Sequence, residues 1–91
     1  MKYELKYTDI ALKDLSLLKK HELAAYKKAL KLISELSEHP TTGTGHPEQL
    51  KKDKNGLWSR RITMKHRLVY KIDDGVLTVI LVAAYGHYGD K

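Results

Sequence analysis

Ninety-one residues carry 17 Lys and Arg against 11 Asp and Glu, a net charge of +6, with 42% hydrophobic residues and no cysteine. That length suits one domain with a modest core, burying somewhat more than roughly 60% of its unfolded surface, and leaves no room for a separate cofactor domain. The composition is globular rather than disordered; it excludes disulfides, thiolate nucleophiles and Cys-based zinc sites, contains no apolar run of about 18 residues that would span a membrane, and opens without an apolar leader core, so a reducing cytoplasm is the expected compartment.

Residues 2–7 alternate, with Tyr3, Leu5 and Tyr7 on one face, which predicts a half-buried strand. Thr8 is placed to cap a following helix, with Asp9 in the first turn where negative charge suits the helix dipole. That helix runs to about Lys20, with Ala11, Leu12, Leu15 and Leu18 as its apolar stripe. A second helix spans about His21 to Glu38, where Leu23, Tyr26, Leu30, Ile33 and Leu36 recur at spacings of three and four; Pro40 ends it. The two make a helical hairpin. Residues 40–47 are loop by composition and lack the Lys-Ser/Thr of a phosphate loop. Lys52 to Gly56 is a further turn, signalled by Asn-Gly.

Residues 57–85 read as sheet. Leu57–Thr63 and Arg67–Ile72 are strands, Asp74-Gly75 is a two-residue hairpin turn, and Val76–Tyr85 is apolar enough for a central strand. A two-residue loop pairs Asp73 with Val76 and Leu68 with Leu81, and packing Ile62 beside Leu68 sets Thr63 opposite Arg67. The helix-facing side then collects Trp58, Ile62, Leu68, Tyr70, Ile72, Leu77, Val79, Leu81, Ala83 and Tyr85. The other side collects Ser59, Arg61, Thr63, Arg67, Lys71 and Thr78. Arg60 points to the apolar side, where an arginine snorkelling from the sheet edge is expected. With no repeat or linker, residues 1–91 form one domain.

Charge is concentrated in the same region. Residues 1–50 carry eight Lys and seven acids, whereas 51–71 carry Lys51, Lys52, Lys54, Arg60, Arg61, Lys65, Arg67 and Lys71 against Asp53 alone, a net of +7 that includes all the arginines. Such a patch attracts polyanions, and guanidinium suits phosphate; a solvated basic face is the alternative. His46, Glu48, His66 and His87 lack compact metal-ligand spacing. Acid–base chemistry on RNA is more economical, because each 2′-hydroxyl is a nucleophile beside its own phosphate. Such chemistry needs a base, an acid and cations, but no metal or cofactor. Glu48, His87, Arg67 and Arg61, with Lys51 nearby, are the candidates, and Tyr85 or Tyr88 could stack a base. Each has a plainer reading: Glu48 as a loop carboxylate, His87 in a frayed terminus, Arg67 as support for a sheet edge. Alternation alone sets His87 on the face opposite Arg67 unless Gly86 bends the chain. A non-catalytic RNA- or ribosome-binding module and a protein that docks an acidic partner both remain as alternatives to a nuclease.

The stretches His46-Pro47-Glu48-Gln49-Leu50-Lys51, Gly56-Leu57-Trp58-Ser59-Arg60-Arg61-Ile62-Thr63, His66-Arg67-Leu68-Val69-Tyr70 and Tyr85-Gly86-His87-Tyr88 resemble the YoeB/Txe toxins of the RelE superfamily, the toxin halves of bacterial toxin–antitoxin pairs. The resemblance implies a compact α+β domain: an N-terminal strand, a two-helix hairpin and an antiparallel three-stranded run completing a curved sheet. It implies a metal-independent endoribonuclease, without cofactor, that cuts mRNA in the ribosomal A site. Glu48 corresponds to the general base, Arg67 to the transition-state arginine and His87 to the general acid. Lys51, Arg61 and Tyr88 correspond to RNA-binding positions. It further implies an acidic antitoxin as partner, mRNA on the ribosome as target, operator DNA reached only through the antitoxin, no membrane, and an assembly compatible with a homodimer. The chain departs from the family at Gly86, where a larger residue is usual, and in the extension Gly89-Asp90-Lys91.

Overall fold

The computed structural model describes residues 2–50 and 56–86. Along the chain run β1 (Glu4–Tyr7), α1 (Asp9–His21), α2 (Leu23–Leu36), β2 (Glu48–Gln49), β3 (Leu57–Arg61), β4 (Arg67–Asp73) and β5 (Thr78–Ala83). The expected α+β class holds. The strands form one sheet in the order β1-β5-β4-β3-β2, with β1 parallel to β5 and the other neighbours antiparallel. The apolar segment expected to be central is central, since β5 lies between β1 and β4. The short β2 falls on residues with no strand signal of their own. The Lys52–Gly56 turn lies, but for Gly56, outside the described residues.

Thr8 caps α1 as expected: its hydroxyl accepts from the Ala11 N–H and donates to the Val82 carbonyl, tying the helix start to β5. Both helices pack on one side of the sheet. Ala11, Leu15 and Leu18 of α1 and Ala25, Ala29, Leu32, Ile33 and Leu36 of α2 meet Leu68, Tyr70, Val79 and Leu81. This corrects the expected stripes, because Leu12 and Leu23 are each 53% exposed and Leu30 is 44% exposed. A leucine-rich helix offers two overlapping apolar stripes, and the sheet takes the one whose alanines allow close approach.

The turns account for the remaining differences. The β4–β5 connection occupies residues 74–77 rather than two residues, so Asp73 pairs with Thr78 and Tyr70 with Leu81. The Asp73 carboxylate accepts from the Gly75 N–H, and the Leu77 carbonyl accepts from the Glu4 N–H, so β1 helps set where β5 begins. Strand β3 stops at Arg61, opposite Arg67, because the Thr63 hydroxyl accepts from the N–H groups of both Lys65 and His66 and closes a turn. Both registers differ from expectation by two residues, and a two-residue shift keeps every side chain on its face. Trp58, Ile62, Leu68, Tyr70, Ile72, Val79 and Leu81 therefore face the helices as expected. A bulge between Val69 and Tyr70 breaks that parity. Beyond it Ala83 joins Leu57 and Val69 on the far face, Ala84 enters the core, and Tyr85 is 41% exposed.

Arg60 does not snorkel. It is fully buried among the core residues, with its guanidinium saturated. Its Nη1 donates to Glu35 Oε1 at 2.8 Å and to the Thr44 carbonyl at 3.4 Å; its Nη2 donates to the carbonyls of Thr42, at 2.6 Å, and His39. Its Nε donates to the Tyr70 hydroxyl, which in turn donates to the Pro40 carbonyl at 2.8 Å. Burial pushes the Tyr70 phenol up, against the opposing pull of Arg60. One side chain thus clips the loop after α2 to the middle of the sheet. The loop must pass close: a Cβ at Gly43 would strike the Glu35 carboxylate, and one at Gly45 would meet the Arg61 carbonyl at 2.9 Å, both at positive φ.

Arg60→Ala should cost about 3–5 kcal/mol in urea unfolding, the penalty for stranding the partners of a buried charge. Arg60→Lys should cost about 1–3 kcal/mol, because an ammonium cannot serve five acceptors spread around a planar fork. Glu35 adds an acid dependence. The Thr44 N–H foremost, then the Thr44 hydroxyl and Arg60, hold its carboxyl below the ordinary 4.5 against the opposing effect of burial. Its stabilisation is present above pH 4.5 and is lost as pH falls through the lowered folded value. Glu35→Gln should therefore flatten the acid limb of stability measured by denaturant titration.

Candidate functional site

The clip by Arg60 delivers β2 to the sheet edge. Glu48 pairs with Ser59 and Gln49 with Trp58, so Glu48 projects on the face away from the helices. On that face Arg61 and Arg67 stand directly opposite each other across β3 and β4. Arg67 Nη1 donates to Glu48 Oε1 at 3.1 Å. The carboxylate is 62% exposed and the guanidinium 27% exposed, so both are open to a ligand from solvent. Two guanidiniums side by side repel, and a carboxylate or phosphate between them relieves the repulsion. Among the described residues the buried Ser59 hydroxyl has no hydrogen-bond partner; it lies directly across from Glu48.

Alternation places Arg61 and Arg67 on one face and gives Glu48 none; the structure brings the three together. Of the +7 segment, Arg60 contributes nothing to the surface, because its charge is consumed internally. Lys51, His87 and Tyr88 lie outside the described residues. The described chain ends beside the site: the Arg67 N–H donates to the Gly86 carbonyl at 3.0 Å. Simple alternation no longer predicts a face beyond this point. The bulge in the β4–β5 pairing and the +73° φ of Gly86 interrupt it twice.

By sequence His66 is only a weak metal-ligand candidate. Its two ring nitrogens instead engage Glu22 and the Gly86 N–H. Among the described residues no three His, Asp or Glu side chains come close enough to hold a metal ion. The sequence held a signal for Arg60, since alternation through Trp58-Ser59-Arg60-Arg61 sets it on the apolar side. It held none for His66, whose partners are 44 and 20 residues away. A groove of about 610 Å³ lies elsewhere, lined by Tyr3, Gln49, Trp58 and Ile72 among others, on the side of β2 that Glu48 does not face.

A family model described as "YoeB-like toxin of bacterial type II toxin-antitoxin system" matches residues 7–88. A toxin YoeB from Streptomyces coelicolor is 47% identical over 62 residues, spanning 68% of this chain and 71% of the relative. Among solved structures, a YoeB/ParE toxin from Agrobacterium tumefaciens superposes with a TM-score of 0.84 at 32% identity, covering 93% of this chain and 99% of the other. A chain of the Staphylococcus aureus YoeB dimer, 28% identical, superposes with a TM-score of 0.82, and the YoeB chain of a YoeB–YefM complex from the same organism with 0.78, each covering 97% of this chain and 100% of the other.

Because Glu48 is mostly exposed, its ion pair should matter little to folding. Glu48→Gln should change unfolding free energy by less than about 1 kcal/mol, measured by urea titration. A larger loss would assign this carboxylate a structural task.

Proposed function

The chain belongs to the family of YoeB-like toxins of bacterial type II toxin–antitoxin systems, and from that premise we propose that it is a ribosome-dependent, metal-independent endoribonuclease that cuts mRNA in the A site. The observation that carries this reading is the contact between Glu48 and Arg67 with Arg61 alongside. A base and two cations share one exposed sheet face, within reach of a single phosphodiester.

The reaction is transphosphorylation. Glu48 takes the proton from a ribose 2′-hydroxyl, and that oxygen attacks the adjacent phosphorus. Negative charge grows on the non-bridging oxygens, where Arg67 and Arg61 stabilise it, with Lys51 holding the phosphate. His87 protonates the departing 5′-oxygen, and Tyr88 positions the base or ribose. The products are a 2′,3′-cyclic phosphate and a 5′-hydroxyl. Without RNA the Glu48 carboxylate rests on Arg67; a phosphate competes for that guanidinium and frees the base. Each proton transfer and each charge is handled by a side chain, so the scheme requires no metal. Ribosome dependence has a physical reason: clustered guanidiniums disfavour a protonated imidazole, and the phosphates of bound mRNA and ribosomal RNA offset them.

The basic face also suits an acidic antitoxin segment, which would cover the site and silence it. The YoeB–YefM complex of the Staphylococcus aureus relative supports such a partner, and the dimer of that relative supports a homodimer. Operator DNA is reached through the antitoxin. Among the described residues no helix is long and apolar enough to cross a membrane, and a target on translating ribosomes places the activity in the cytoplasm.

Single-turnover cleavage of a defined mRNA on ribosomes tests the reading. Wild-type protein should leave cyclic-phosphate ends. Glu48→Ala should slow cleavage by about 10²–10⁴-fold, and Arg67→Ala by about 10²–10³-fold. Wild-type rates in either variant would remove that residue from the mechanism, and ribosome binding without new RNA ends would favour a non-catalytic module.

A further inference from the structure

His66 is the only buried imidazole among the described residues, at 2% exposed. Its Nε2 lies 2.7 Å from Glu22 Oε2, at the joint between α1 and α2. Its Nδ1 accepts from the Gly86 N–H at 2.9 Å. A backbone N–H only donates, so Nδ1 carries the lone pair and the proton sits on Nε2, facing the carboxylate. The next residue, Arg67, gives its own N–H to the Gly86 carbonyl. Both polar groups of Gly86 are thus held by two consecutive residues, one buried and one at the site. Gly86 itself sits at a φ of +73°, which few other residues adopt.

We propose that His66 is a positioning residue: through the Gly86 amide it fixes the Gly86 backbone beside Arg67, and through Glu22 it ties that point to the helical hairpin. The claim deepens the nuclease reading and rests on it, because His87, the general acid of that reading, is the next residue in the chain. Position matters there, since an acid displaced by about 1 Å costs about a hundredfold in rate.

Among the described residues, the charged and titratable groups packed against the imidazole are Glu22, Lys65 at 3.8 Å from the other Glu22 oxygen, and the Tyr85 ring, tilted at a centroid distance of 4.4 Å. The hydrogen bond from His66 foremost holds the Glu22 carboxyl below its ordinary value, against partial burial. Glu22 thus offers a carboxylate acceptor to the Nε2 proton. The Gly86 N–H in turn needs the Nδ1 lone pair, because a proton there would set donor against donor.

Two substitutions separate the ring's bonds. In His66→Asn the amide oxygen takes the place of Nδ1, keeps the Gly86 bond and does not titrate. In His66→Gln the amide nitrogen takes the place of Nε2, keeps Glu22 and leaves the Gly86 N–H without an acceptor. Amide exchange of the ¹⁵N-labelled full chain, followed by NMR, reads the anchor directly. Protection of the Gly86 amide, relative to its intrinsic exchange rate, should stay near the wild-type level in His66→Asn and drop about tenfold in His66→Gln. In ribosome cleavage, His66→Gln should lower kcat about ten- to hundredfold with little change in KM, and His66→Asn should restore most of it. Undiminished Gly86 protection in His66→Gln, or equal loss of kcat in both variants, overturns the proposal. If wild-type protein cuts no RNA, the nuclease reading fails while the exchange data still judge the anchor.

Discussion

A guanidinium buried in the middle of the fold organises the rest of this protein. An arginine taken fully out of water carries a desolvation cost that only saturated hydrogen bonding offsets. Here Arg60 meets one carboxylate, three carbonyls and a phenol. These acceptors come from α2, the loop after it and β4, so their arrangement is possible only when helix, loop and sheet are all in place. The loop would otherwise be a run of small polar residues with little apolar surface to hold it. Gly43 and Gly45 are part of the same device, since they let the backbone approach Glu35 and β3 closely. What the loop then delivers is Glu48, at the start of the two-residue strand β2.

The two faces of the sheet divide the labour. The face toward the helices holds the apolar core, with Arg60 and Tyr70 as its polar exceptions. The opposite face carries Glu48, Arg61 and Arg67 on three adjacent strands. The adjacent arginines Arg60 and Arg61 illustrate the division: alternation sends one inward to build the fold and the other outward to solvent. A count of positive charge treats them alike, although only one contributes to the field a polyanion would meet. The site is built from strands, whose positions are set by the ladder, and this suits chemistry in which a base and a cation must bracket one phosphodiester.

Elements and faces were legible because they depend on local periodicity. The strand through Tyr3 and Leu5, the Thr8 cap, the apolar run that became β5 and the outward pair Arg61 and Arg67 could all be read directly, whereas Tyr7 at the end of β1 is 41% exposed. Face assignment survived register errors of two residues, since side-chain direction repeats every two residues. It failed at Ala83 and Tyr85, beyond a bulge that leaves no local mark. The helix stripes were misjudged where leucines outnumbered the positions the sheet could cover. The two-residue strand β2 was missed because its pairing is defined by β3 rather than by its own composition.

The amino-acid sequence by itself determined the class of fold, the two-sidedness of the sheet and, through its resemblance to a toxin family, the residues around which chemistry was expected. Those properties follow from periodicity and residue type, which are local. Only tertiary structure decided that Arg60 is the internal clip, that Glu48 reaches Arg67, and that His66 holds Gly86. Each of these joins residues distant in the chain, Arg60 to Glu35 across 25 positions, Glu48 to Arg67 across 19 and His66 to Gly86 across 20, and a buried polar group declares its partners only when the packed chain has removed water as the alternative.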